Sequence, residues 1–152
     1  MKKPLANIKI EQVTWACAKQ DLMQVRTAVF IKEQQVEPDF EWDELDLNAV
    51  HLLALLDNQA IACLRIIDHK KIGRMAVLKP WRVLGIGKAL LVKAIEICNQ
   101  QGSQQIILSA QSHAVGFYTK AGFEVISDEY CDVNIPHVDM QLTIDNKSCL
   151  IA

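Results

Sequence analysis

Apolar and polar residues alternate loosely through IKIEQVTW, residues 8–15, and predict a first strand. From Gln20 to Gln34 the period lengthens: Leu22, Val25, Val29 and Phe30 recur at helical spacing. The next stretch, VEPDFEWDELDLN, holds Pro38 and six acidic residues with no clean period, and predicts a loop or a broken helix. HLLALL and AIACLRII flank the turn-prone Asp57-Asn58-Gln59 and predict a hairpin, which KIGRMAVL extends to a three-strand meander. Residues 86–101 return to helical spacing through Leu90, Leu91, Ala94, Ile95 and Cys98, with Gly102 as the stop. QQIILSA then reads as a strand and SHAVGFYTKAG as a short helix ended by Gly122. FEVISDEY and NIPHVDMQLTI read as two closing strands, and the residues from 145 onward as a tail. This order places the chain in the α/β (α+β) class, as one mixed sheet with helices on both faces.

Composition changes that picture little. A chain of 152 residues that is 51% apolar and 22% charged fits one folded domain, with its core at about 8–144. A net charge of −2 gives no bulk electrostatic case for nucleic acid or an anionic membrane. MKKPLANIKIE has a basic start without a following apolar run, so no export signal is expected, and no segment has the roughly 20 apolar residues of a membrane span. The five cysteines are dispersed, without a C-x-x-C pair, and read as reduced packing thiols of a cytoplasmic protein. They share no ligand spacing with the four histidines, so no metal is expected. His51 is expected to bond backbone at a strand start, and His69 to be solvated in a turn.

Chemistry concentrates between the meander and the long helix, in RMAVLKPWRVLGIGKALL. A helix start offers unpaired N–H groups and roughly half a positive charge, and glycines let the backbone close on phosphate oxygens. Two common phosphate loops fail here. A P-loop needs Ser or Thr after the lysine, where Ala89 stands; a dinucleotide loop needs a third glycine where Leu90 stands. What remains is R-x-x-G-x-G, from Arg82 to Gly87, between a strand and a helix.

That hexapeptide resembles motif A of the GNAT acetyltransferases. LSAQSHAVGFYTKAGF resembles their motif B, and RTAVFIKEQQV with the acidic stretch after it, together with IPHVDM, resembles the ElaA-like branch over about residues 13–142. The resemblance implies a mainly antiparallel sheet of about six to seven strands. It also implies a transferase that moves an acetyl group from acetyl-CoA, as co-substrate and without a metal, to a small-molecule or peptide amine. Transfer of another short acyl group, or a coenzyme A-binding sensor without turnover, are the alternatives; a homodimer is compatible.

Residue by residue, the resemblance puts the acyl-pantetheine arm along Met75, Ala76 and Val77. The pyrophosphate falls at Arg82, Val83, Leu84, Gly85, Ile86, Gly87 and Lys88, with Gln111 and Phe117 also touching the cofactor. Tyr118, protonated at neutral pH, is the expected general acid toward the leaving thiolate. The strand before the loop carries Gly73 and Arg74 and no carboxylate, so the base stays open among Glu33, His113, His137 and deprotonation through water. The acidic residues 37–46 read either as a solvated face or as an attractor for a cationic amine.

Overall fold

The computed structural model describes residues 7–144; the expected tail from residue 145 lies outside them. Eight strands form a single sheet in the order β1-β2-β3-β4-β5-β8-β6, with β7 also pairing β8. They are β1 (Ile8–Val13), β2 (Val50–Leu56), β3 (Gln59–Ile67), β4 (Lys71–Val77), β5 (Gln105–Gln111), β6 (Glu124–Val125), β7 (Tyr130–Asp132) and β8 (Ile135–Thr143). Every pairing is antiparallel except β4 with β5. The mixed, mainly antiparallel sheet read from the sequence is therefore present.

The helices are α1 (Trp15–Arg26), α2 (Pro38–Glu41), α3 (Ile86–Gln100) and α4 (Val115–Lys120). Helix α1 starts earlier than the apolar spacing suggests because Thr14 caps it, its side chain accepting from the Cys17 amide at 3.2 Å. It continues as a π-helical stretch, Thr27–Glu33. The expected strand FEVISDEY is instead split into β6 and β7, both bonded to β8. Between β7 and β8, Val133 and Asn134 have positive φ, as a tight two-residue hairpin turn requires.

Each face of the sheet has its own core. On one, α3 lays Ile86, Leu90, Leu91, Ala94 and Ile97 against Leu52, Leu64, Ile66, Ile72, Leu108 and Met140. On the other, α1 lays Leu22 and Val25, and the π-helical stretch Val29, against Leu53, Cys63 and Ala76. Strands β2 and β3 are buried on both faces, which is why their sequences run as almost unbroken apolar stretches.

Candidate functional site

Strands β4 and β5 run parallel but pair only through Lys71–Ile107 and Ile72–Leu108. Beyond that they separate, so Gly73 to Val77 have β3 on one side and no strand on the other. A slot opens between the two strands, with Met75, Ala76 and Val77 along one wall and Gln111 at the end of the other.

The loop after β4 leads from this slot to the start of α3. Lys79–Trp81 forms a short 3₁₀ turn, Val83 stands fully exposed at φ +58°, and Gly85 takes φ +86° as the N-cap. That left-handed geometry suits glycine. No side chain caps α3, so its first amides, from Ile86 to Lys88, point outward without an intrahelical partner. Ile86 itself is buried, Leu84 packs on the same apolar core, and Lys88 is exposed. A β-carbon at Gly87 would sit 3.6 Å from Phe117 and 3.8 Å from Val77, so α3, β4 and α4 converge there.

Arg82 is differently engaged from the sequence expectation. Its Nε donates to the Val77 carbonyl at 2.9 Å, and its two terminal nitrogens donate to the Glu33 carboxylate, both at 2.6 Å. This fork holds the Glu33 carboxyl below the usual range, which counts against Glu33 as a base. Beside it, Gln34 and Gln111 exchange amide hydrogen bonds at 2.8 and 3.3 Å. The end of the π-helical stretch thus spans the slot, gripping the β4 loop with Glu33 and the β5 end with Gln34.

Tyr118 lies on the α3 side, edge-on to Phe117 at 5.1 Å and to Phe123 at 6.0 Å. Burial pushes its phenol up to about 12, so it keeps its proton through the neutral range. His137 lies on the opposite side: it is in register with Gln111, whose amide meets Gln34 there. Its ring stacks on Tyr130 at 6.1 Å, and Nδ1 donates to the Ile135 carbonyl at 2.7 Å. A carbonyl can only accept, so this bond puts the proton of a neutral ring on Nδ1 and leaves Nε2 as a lone pair. His113 is exposed in a single 3₁₀ turn and has no such anchor.

Tyr130, which carries no role in the sequence reading, donates to Asp139 at 2.5 Å and also meets Ser109. These residues line the sheet beside His137. No sequence period signals Tyr130, because β7 is only three residues long.

The acidic stretch is neither a solvated face nor, in the main, a free attractor. Glu41 and Asp46 are buried on Arg26: Nε meets Glu41 at 2.7 Å and Nη1 meets Asp46 at 2.8 Å. Arg65 meets Asp43 at 2.8 Å and Asp46 at 3.0 Å, and Arg74 reaches Glu41 and Asp43. His51, as expected, bonds backbone, donating to the Asp46 carbonyl at 2.9 Å. The remaining carboxylates, Glu37, Asp39 and Glu44, are exposed and form no ion pair among the described residues.

Among the described residues no group of His, Cys, Asp or Glu could hold a metal ion, and no helix is long and apolar enough to cross a membrane.

Residues 16–144 match the family profile described as an acetyltransferase (GNAT) domain. Among curated relatives, the uncharacterized N-acetyltransferase YjcF of Bacillus subtilis is 37% identical, over 79% of this chain and 89% of its own. Escherichia coli ElaA is 31% identical, over 78% of this chain and 83% of its own. Its crystal structure superposes with a TM-score of 0.80, covering 89% of this chain and 99% of that one. An acyl-CoA N-acyltransferase from Pseudomonas aeruginosa superposes at 0.81 with 30% identity, covering 90% and 99%. These matches settle the family: the chain belongs to the GNAT acetyltransferases, with ElaA among its relatives.

Proposed function

We propose that this chain transfers an acetyl group from acetyl-CoA to a primary amine, by direct attack with both substrates bound. The observation that carries this reading is the continuity of the slot: an unpaired β4 edge runs into the glycine-bearing loop and the free amides of α3. A pantetheine arm carries amides that suit such an edge, and a pyrophosphate suits a helix start. Met75, Ala76 and Val77 would hold the arm, with Phe117 beside Gly87 closing the far side. Residues 83–88 would hold the pyrophosphate, with Arg82 and Lys88 at its rim and Gln111 at the slot's other end.

The bound thioester supplies an activated carbonyl; the chain supplies the proton traffic. His137 Nε2 takes the proton of the incoming ammonium, since the bond to Ile135 sets its tautomer and leaves that nitrogen with a free lone pair. On the other side of the sheet the Tyr118 hydroxyl donates to the departing sulfur. His113 and Glu33 have no part in proton transfer in this scheme.

Thiol release from acetyl-CoA across an amine panel tests the reading. Turnover should fall about 10²–10⁴-fold in Tyr118→Phe and, through loss of the proton acceptor, by a similar factor in His137→Gln. Binding of coenzyme A with no thiol release for any amine would favour a sensor.

A further inference from the structure

Within β4 one residue stands out by its backbone. Arg74 has φ +46°, a left-handed conformation disfavoured for any residue with a β-carbon. It sits in a bulge: Cys63 pairs with Ala76 and Arg65 with Gly73, so Leu64 alone faces both Arg74 and Met75. Glycine is the usual occupant of such a position, yet the sequence places its glycine one residue earlier, at Gly73, where φ is not positive.

The side chain explains the choice. Arg74 Nε lies 3.2 Å from Glu41 Oε2, and Nη2 lies 3.4 Å from Asp43 Oδ2. Nη2 also donates to the carbonyls of Phe40 and Glu41, at 3.3 and 3.2 Å. These contacts, one ion pair from Nε and three hydrogen bonds from Nη2, all fall within residues 40–43. The Arg74 carbonyl is itself held, accepting from Cys63 Sγ at 3.5 Å. The acceptors are fixed in turn, because Arg26 grips Glu41 and Arg65 grips Asp43. Glycine could adopt the bulge, but it could not hold it against this frame.

We infer that Arg74 is a positioning residue: by tying the β4 bulge to Glu41 and Asp43, it sets the main-chain groups from Arg74 to Val77 at the spacing needed to bind the pantetheine amides of an acyl-CoA. The inference rests on the acyl-CoA reading above. It gives the buried charges a task in donor binding, although none of them except Arg74 lies on the slot. A link of this kind also joins α2 to the strand that binds the donor.

The test measures coenzyme A binding by calorimetry, without turnover, in wild type, Arg74→Gly and Asp43→Asn. Arg74→Gly suits the local φ and should fold, yet its Kd for coenzyme A should rise about tenfold or more, and Asp43→Asn should show a smaller rise of the same sign. In the turnover assay, KM for acetyl-CoA should rise while KM for the amine stays within about twofold. A Kd in Arg74→Gly within about twofold of wild type overturns the inference, whatever happens to its melting temperature. So does a rise confined to the amine KM, which would place Arg74 on the acceptor instead. If Arg74→Gly does not fold, an unchanged Kd in Asp43→Asn overturns it. Wild type failing to bind coenzyme A at all would instead remove the reading on which it rests.

Discussion

The two faces of the sheet are built from opposite materials. Against α3 the buried residues are all apolar, from Leu52 to Met140. Against α1 the apolar residues share their space with buried Arg26, Glu41, Asp46, His51 and Arg65. Arg26 shows how such a face is sustained. Its guanidinium meets two carboxylates and a carbonyl, and lies over the rings of Trp15 at 5.6 Å and Trp42 at 5.0 Å. Burial works against its charge, but the hydrogen bonds it donates to Asp46 and Glu41 outweigh that and raise its pKa. Apolar packing is non-directional and tolerates rearrangement of similar volume; a paired guanidinium fixes distances and angles. The face that must hold a loop and a bulge in place is the one built from directional contacts.

Removing the centre of the charged face should give the largest effect. Arg26→Ala strands two buried carboxylates and should cost about 3–5 kcal/mol of stability by denaturant titration. The same face should confer acid sensitivity. Arg26 and Arg65 overcome burial and depress the Asp46 carboxyl, so the stability it contributes is present above its unfolded value and lost as pH falls through the folded one. Asp46→Asn should flatten the stability-against-pH curve in that acid window; an unchanged slope would show that the pair does not control it.

A milder change on the apolar face should separate stability from function. Ile72→Val should cost about 0.5–1.5 kcal/mol, with coenzyme A affinity kept, although Ile72 is the last residue of β4 paired to β5. Loss of affinity larger than loss of stability would mean that the opening of the slot depends on packing at its closed end. At the surface, Glu96→Ala removes an exposed contact to Lys93 at 3.9 Å and an exposed hydrogen bond from Gln100 at 3.5 Å, and should change stability by less than about 0.5 kcal/mol.

Much of the fold was legible from period alone, because β2, β3, α3 and β5 combine strong apolar patterns with turn residues between them. The short β6 and β7 were not, since two or three residues carry no period and are placed by pairing with β8. The loop proposed to hold the cofactor was legible from its glycines. The charged face was not, because sequence places Arg26, Arg65 and Arg74 far from the acidic stretch that meets them. One signal for it does exist. Arg26 adjoins the apolar stripe of α1, and Arg65 interrupts the run AIACLRII, so both were bound for the interior and needed carboxylates there. His137 and His113 look alike in sequence; burial in β8, stacking on Tyr130 and the carbonyl of Ile135 distinguish the first from the exposed second.

The two tryptophans around Arg26 have a practical consequence. The chain has three indoles, and the third, Trp81, lies in the loop between β4 and α3. Tryptophan emission therefore originates at the charged face and at the loop after β4, where Trp81 packs against the edge of the α3 core. Trp15 and Trp42 are natural reporters of whether the salt-bridged frame is intact, and Trp81 of what happens at the loop. Replacing the first pair with phenylalanine would leave a single-colour sensor at the loop, with no extrinsic dye attached.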